Sequence, residues 1–150
     1  MKLNKKILGF VALIAVPAIA VAAVADVIKA RQANFKKIGG AFKAINDELK
    51  KSEPSVAVLR ANANVMNTAA IRNMKSFPKG SGPASGVKTA ALPAIWTKPV
   101  EFKVAGAKFI KATGALKKAT ASGDLATIRG AAGGIGMNCK GCHDEFKAKN

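Results

Sequence analysis

The chain has 150 residues and a formal net charge of +17, with 25 Lys and Arg residues against 8 Asp and Glu residues. That length allows one ordinary domain and rarely two. The lysines are spread along every segment and Tyr is absent, so the sequence lacks the clustered basic patch with stacking aromatic residues that is typical of nucleic-acid binding.

Residues 1–25 are typical of a secretory signal peptide. A basic start, MKLNKK, precedes the uncharged apolar run ILGFVALIAVPAIAVAAVA, which ends in the small-x-small pattern Ala-Val-Ala that signal peptidase reads. The run is nearly long enough to span a bilayer, so an uncleaved anchor is the alternative, but Pro17 and the small residues after it favour cleavage. We expect a periplasmic mature chain, residues 26–150, without a stable membrane anchor. Its charge is +14, because residues 1–25 hold three lysines and no acidic residue.

The mature chain predicts helices only, because apolar positions recur at intervals of three and four and no segment is typical of a strand. A first helix is predicted over about 27–50, and a second over about 54–76 with Ser52 as its N-cap. The segment 78–96 that follows is rich in Gly and Pro, which predicts a long connection that ends with Trp96.

A third helix is predicted to begin near Thr97–Pro99, and a fourth follows Ser122 as its N-cap. The fourth helix has apolar positions and cysteines on one stripe, at spacings of three and four: Leu125, Ile128, Ala132, Ile135, Cys139, Cys142 and Phe146. Four amphipathic helices of about twenty residues with three connections predict an all-α fold, an antiparallel four-helix bundle.

Cys139, Cys142 and His143 are the only cysteines and the only histidine of the chain. Zinc would need a fourth ligand or a water, and no other Cys or His is available. A redox dithiol is typical of a helix N-terminus after a strand, whereas this motif lies near the C-terminal end of an all-helical chain. A disulfide would close a very small loop and stabilise little. Cys-x-x-Cys-His is a specific signal for haem c, with two thioethers and His143 as axial iron ligand. We therefore predict one covalently attached haem c per chain.

The iron also has a sixth position, which a low-spin electron carrier fills with Met or a second His. With one His in the chain, only methionines remain. Met74 lies close to a helix end, Met137 is on the same helix as His143, and Met66 is on a core stripe. A vacant or weakly filled sixth position is therefore expected.

The chain resembles class II cytochromes c of the cytochrome c′ family, of the high-spin type. The resemblance rests on GDLATIRGAAGGIGMNCKGCHDEFK near the C-terminus, on IWTKPVEFK before the third helix and on VIKARQANF in the first helix. It implies a four-helix bundle with the haem between helices, and a homodimer formed through the first two helices.

The resemblance also implies roles for individual residues of the haem pocket. Phe35 would lie over the distal face of the haem, where low-spin relatives of the c556 type have a ligating Met. Arg31 would contact a haem propionate, and Gln32 belongs to the same motif. Trp96 would lie near the haem edge. Lys147 stands where many members have Arg, which keeps the charge but loses the planar fork.

Two functions follow as expectations, and no enzymatic activity is expected because no base or nucleophile pair is evident. The first is binding of diatomic gases, NO or CO, at a five-coordinate haem under an apolar distal pocket without a hydrogen-bond donor. The second is electron transfer, with the lysine-rich surface docking an acidic redox partner. A low-spin, six-coordinate c556-type carrier is the alternative.

Overall fold

A computed structural model describes residues 18–149, which form helices and connections. The helices are α1 (Ala18–Leu49), α2 (Val56–Asn73), α3 (Ala94–Thr97), α4 (Pro99–Ser122) and α5 (Leu125–Phe146), with a short 3₁₀ turn at Pro83–Ser85. Within the described residues the only β pairing is one isolated bridge between Ala91 and Lys147. The prediction of an all-α chain is confirmed.

The four long helices form an antiparallel bundle, as predicted. α1 packs along α2, α2 along α4 and α4 along α5, whereas α1 and α5 touch only slightly. The main core draws apolar side chains from all four helices, among them Ile45, Leu59, Met66, Leu116 and Ile128. Burial of such side chains is the main source of stability for helices that carry glycines in mid-helix. One side of the bundle, between α1 and α5, is therefore less closely packed than the other three.

α1 begins at Ala18, earlier than the predicted start near residue 27. The predicted signal peptide lies mostly outside the described residues, and residues 18–25 are the first turns of α1. Across residues 18–149, none of the helices combines the length and the hydrophobicity that a membrane span needs.

Both predicted N-caps are wrong by a few residues. α2 is capped by Ser55, whose side chain accepts a hydrogen bond from the Val58 amide. α5 is capped by Asp124, which accepts from the amides of Ala126 and Thr127. Ser122 instead donates to the Ala119 carbonyl at 2.7 Å, inside the last turn of α4. Gly123 then ends α4 with a φ of +78°, a conformation that favours glycine.

The prediction that Trp96 lies in a loop is wrong. Trp96 lies in α3, a single turn that begins after Pro93. Its indole N–H donates to the carbonyls of Phe77 at 3.2 Å and Pro78 at 3.1 Å. Pro93 favours this turn because its ring fixes φ near the helical value. Trp96 thus links the start of the long connection to its end.

Candidate haem site

The Cys-x-x-Cys-His motif lies in the last two turns of α5. Both cysteines are free thiols and half-buried. Cys139 packs against the main core, and Cys142 packs against a second apolar cluster formed by Ile95, Phe102 and Phe146. The motif thus lies where the two apolar clusters of the molecule meet.

The electrostatics of the motif argue against a reactive dithiol. Burial raises the pKa of both thiols, and for Cys142 the nearby Cys139 and Glu145 raise it further. Both groups are therefore thiols at neutral pH, whereas a nucleophilic cysteine needs its thiolate. Within residues 18–149, no group of three His, Cys, Asp or Glu side chains is placed to hold a metal ion.

His143 is held in its neutral form. Partial desolvation by neighbouring groups lowers its pKa most, the charge of Lys147 lowers it further, and Asp144 partly opposes both. A neutral imidazole offers the nitrogen lone pair that iron ligation needs. The side chain is exposed on the surface of α5, so it is accessible to a group that approaches from outside the helix.

The contacts between α1 and α5 define which residues face each other. The Arg129 guanidinium donates to the Leu49 carbonyl at 2.5 Å. Seven residues further along α5, a Cβ placed on Gly136 would lie 4.0 Å from the Phe42 ring. The helices are antiparallel, and seven residues make about two turns. A shift of seven residues back along α1 from Phe42 and seven residues forward along α5 from Gly136 therefore pairs Phe35 with His143.

From Phe42 toward Phe35, however, this face of α1 is open. Phe35 is 43% exposed, and a Cβ placed on Gly39, on the same face of α1, would meet nothing within 4 Å. Phe35, Gly39, Cys139 and His143 therefore border an open gap, which we call the α1–α5 gap. It is bounded by one helix that carries the Cys-x-x-Cys-His motif and by another that carries the predicted distal residue.

Arg31 ties the connection between α2 and α3 to α1. It is 2% exposed. Its Nη1 donates to the Ser76 carbonyl and the Ser81 hydroxyl, both at 3.1 Å. Its Nη2 donates to the Ser81 carbonyl at 2.9 Å and the Thr89 hydroxyl at 3.0 Å. The guanidinium carbon also lies 4.5 Å from the centre of the Phe77 ring, a cation–π contact.

These contacts leave Arg31 a buried cation without a counter-charge. No carboxylate within residues 18–149 forms an ion pair with it, and all its partners are neutral. Burial accordingly lowers the pKa of Arg31. Buried charges are usually paired, so an anionic group beside Arg31 would fit this site.

Gln32 and the end of α5 border the same region. The Gln32 amide donates to the Lys88 carbonyl at 2.9 Å. A cavity of about 460 Å³ is lined by Gln32, Lys88, Thr89, Ala90 and Ala148. It therefore lies between α1, the long connection and the residues that follow α5.

Backbone hydrogen bonds fix the end of α5 to the same connection. The Leu92 amide donates to the Phe146 carbonyl at 3.0 Å, and the Ala148 amide donates to the Ala90 carbonyl at 2.8 Å. Lys147, between these two bonds, pairs with Ala91 in the isolated bridge. The connection thus joins α1 to α5 at the end of the bundle that borders the α1–α5 gap.

An aromatic series lies across the same end. The Phe77 ring centre is 6.5 Å from that of Phe35, 4.8 Å from that of Phe102 and 6.4 Å from that of Trp96. The Phe102 ring in turn lies 5.2 Å from that of Phe146. Phe77 thereby connects the predicted distal residue Phe35 to Trp96 and to the cluster that holds Cys142. Sequence reasoning missed Phe77, which stands just outside α2 and ahead of Pro78.

None of the three candidate methionines is placed to face His143. Met137 is 75% exposed and Met66 is fully buried in the main core. Met74 lies against α4, where a Cβ placed on Gly106 would be 2.9 Å from its sulfur. It lines a second cavity of about 570 Å³ between the end of α2 and α4, together with Trp96, Lys103 and other residues.

Comparison with known proteins identifies the family. The family model described as "Cytochrome C'" matches residues 26–147. The chain belongs to the cytochrome c′ family. Cytochrome c′ from Rubrivivax gelatinosus is 35% identical over 127 residues, which cover 83% of this chain and 95% of that protein.

Solved structures of the family have the same fold. The crystal structure of the Rubrivivax gelatinosus protein matches with a TM-score of 0.76 at 34% identity, over 83% of this chain and 96% of that chain. A variant of cytochrome c prime from Alcaligenes xylosoxidans, solved as its nitric oxide complex, also matches with a TM-score of 0.76. That match is at 28% identity and covers 85% of this chain and 97% of that chain.

Members of this family bind one covalent haem c per chain, as predicted here, and the residues present fit that group. Two half-buried thiols and a neutral imidazole lie on one helix beside an open gap, and an unpaired cation and apolar rings lie nearby. The structure brings Arg31, Gln32 and Phe35 together with the long connection and places Lys147 at the end of α5. Trp96 contacts this group through Phe77.

Proposed function

We propose that the α1–α5 gap is the haem site, with Cys139 and Cys142 as the thioether residues and His143 as the axial ligand. The observation that carries this proposal is the register of the two helices, which sets Phe35 level with His143 at the point where the helices diverge. The buried cation of Arg31 supports the assignment of a propionate to that end of the gap. Gln32, Trp96 and Lys147 complete the proposed pocket.

We propose that the protein is a periplasmic monohaem cytochrome that binds diatomic gases at a five-coordinate haem. When bound, haem iron supplies a redox-active centre and a coordination position for a small ligand. We assign to Phe35 the restriction of access to that position, because it borders the gap at the level of His143 and its phenyl ring cannot itself ligate iron. The nitric oxide complex of the Alcaligenes xylosoxidans protein supports NO as a ligand class. Export rests on the predicted signal peptide.

Electron transfer is the second candidate function, and the distribution of charge favours it. Lys88 lines the 460 Å³ cavity, Lys147 follows α5, and Lys36 is exposed beside Phe35. Positive charge around a haem edge attracts an acidic redox partner and speeds its docking at low ionic strength. Both functions use the same iron, and we propose no enzymatic activity for it.

The coordination state of the iron tests the gas-binding proposal directly. We expect absorption and EPR spectra of the purified holoprotein at neutral pH to show high-spin, five-coordinate iron, because the positions of Met66, Met74 and Met137 do not favour a sixth ligand. A six-coordinate low-spin spectrum would instead support a c556-type electron carrier. Covalent attachment is measured separately, after denaturation of the chain. Haem should stay with the denatured wild type and should be lost from the double variant Cys139→Ala, Cys142→Ala.

We also propose a homodimer through α1 and α2. Val58 and Val65, seven residues apart on α2, are 40% and 47% exposed, and two turns of helix place them on one face. Sedimentation or light scattering of the wild type and of Val65→Lys measures the assembly. We expect the wild type to be a dimer and Val65→Lys to dimerise more weakly. Unchanged dimerisation of the variant would show that the interface lies elsewhere.

A further inference from the structure

Gly39 lies inside α1, on the face that borders the α1–α5 gap. Glycine is the least favourable residue for a helix interior after proline, yet α1 continues through this position without a break. The backbone does not require a glycine here, because Gly39 is not one of the residues with a positive φ. A Cβ placed on it would meet nothing within 4 Å. Contacts within residues 18–149 therefore do not explain why this position has no side chain.

The residue of α5 at the level of Gly39 is Cys139. A Cβ placed on Gly136 would lie 4.0 Å from the Phe42 ring, which sets these two residues opposite each other. Gly39 is three residues back along α1 from Phe42, and Cys139 is three residues forward along α5 from Gly136. Because the helices are antiparallel and three residues advance each helix by about 4.5 Å, both steps lead to the same level.

The level of Gly39 and Cys139 holds little side-chain volume compared with the levels on either side of it. It has no side chain on α1 and one small, half-buried thiol on α5. On one side the Phe42 ring faces a glycine, and on the other side lie the rings of Phe35 and His143. The gap thus leaves space for a planar group that begins at the Cys139 thiol, ends at Phe42 and extends towards His143.

We propose that Gly39 is a specificity-determining residue of the haem site, because its missing side chain leaves the space in which the porphyrin edge attached at Cys139 lies against α1. This inference rests on the proposed haem site. Attachment adds the thiol S–H across a vinyl double bond, so one S–C and one C–H bond form and no electrons are gained or lost. Gly39 follows Phe35 by four residues, as His143 follows Cys139, which is about 6 Å along each helix. Phe35 then covers the iron and Gly39 accommodates the ring edge.

A bulky side chain at residue 39, compared with the same side chain at residue 40, tests this role in the holoprotein. Both glycines are exposed, and a Cβ on either would meet nothing within 4 Å, but Gly40 lies about 100° further round the helix, away from the gap. Gly40→Leu should raise Tm by about 3 °C through helix propensity alone. Gly39→Leu gains the same propensity but clashes with the porphyrin, so its Tm should be at least about 5 °C below that of Gly40→Leu.

The haem itself gives a second measurement, which a purely helical role of Gly39 would not change. We expect Gly39→Leu to shift the Soret band of the ferric holoprotein and to slow CO association to the ferrous form about threefold, because the displaced ring edge and the added side chain narrow the gap. Gly40→Leu should keep the wild-type spectrum and rate.

Equal Tm values together with equal CO rates for the two leucine variants would overturn the proposal. If Gly39→Leu gives no folded holoprotein, Gly39→Ala and Gly40→Ala make the same comparison with less added bulk. Gly39→Ala should then have the lower Tm of the two, and equal values would again overturn the proposal. Failure of the haem site itself is seen separately, as denatured wild-type chain that carries no haem.

Discussion

Phe35 on α1 and His143 on α5 lie at the same level of the bundle, each two turns beyond a pair of residues that face each other. That pair is Phe42 and Gly136, where a Cβ on the glycine would lie 4.0 Å from the ring, and past it a Cβ on Gly39 would meet nothing within 4 Å. A phenyl ring and an imidazole thus border one gap from opposite helices, with the ring supported at its edge by Phe77. This relationship makes Phe35 the residue to alter first.

Phe35→Ala should speed CO association to the ferrous holoprotein about tenfold, because the ring that restricts the gap is removed and a barrier lower by ~1.4 kcal/mol corresponds to that factor. Flash photolysis or stopped-flow mixing measures the rate. Phe109→Ala is the matched control, since this phenylalanine packs against the main core on α4. It should lower stability without changing the rate, and equal rates for wild type and Phe35→Ala would assign Phe35 to ordinary packing.

The four long helices could be predicted from sequence because apolar periodicity extends over many residues, and no single position decides it. The helix ends could not. Ser52 and Ser55 are both good N-caps, and only the fold shows that the Ser55 amide is bound by the buried carboxylate of Glu48 at 2.8 Å. Likewise Ser122 and Asp124 are both good N-caps for α5. Gly123, between them, has a left-handed conformation that ends α4, so Ser122 belongs to α4.

The site was predictable to the extent that it is local. Cys139, Cys142 and His143 lie within one five-residue motif, and Phe35 follows from family resemblance. The partners of Arg31 were not predictable, because Ser76, Ser81 and Thr89 lie in a connection whose path depends on tertiary contacts.

Arg31→Leu should lower the free energy of unfolding by about 3 kcal/mol, because it leaves four buried or partly buried oxygens without their donor. Chemical denaturation of the holoprotein measures this. The neighbouring Gln32→Ala is the control, since the Gln32 amide makes one exposed hydrogen bond and should cost about 0.5 kcal/mol. Proteolysis between residues 76 and 89 should speed up in Arg31→Leu only, and equal effects of the two substitutions would contradict the role assigned to Arg31.

Gly82→Ala should lower the free energy of unfolding by about 2 kcal/mol, because a Cβ there would lie 2.9 Å from the Trp96 ring and overpacking costs about that much. The ring cannot easily move, since two hydrogen bonds hold its indole N–H. In a Trp96→Phe background, which lacks the clashing atoms, the same substitution should cost much less. The control is Gly133→Ala, which should be neutral or stabilising, because nothing lies within 4 Å of a Cβ there. If Gly82→Ala lowers the free energy of unfolding equally in the Trp96→Phe background, the clash with the Trp96 ring is not the cause.

Asp124→Ala should lower Tm at pH 7, and the difference from wild type should shrink as the pH falls. The pKa of Asp124 is lowered in the folded protein, first by the Thr127 hydroxyl and then by the amides of Thr127 and Ala126. A carboxylate with a lowered pKa stabilises the fold above its unfolded pKa of about 3.9, and that stabilisation is lost as the pH falls through the folded value.

Circular dichroism at 222 nm of the holoprotein, from about pH 7 to about pH 2, measures this loss for the Asp124 cap. Asp124→Asn is the matched control, because its amide oxygen still accepts hydrogen bonds from the start of α5 but does not titrate. It should stay close to wild type at pH 7, and its Tm should lack the part of the acid dependence that Asp124 contributes. A difference between wild type and Asp124→Ala that stays constant down to about pH 2 would show that ionisation of this side chain does not stabilise the helix.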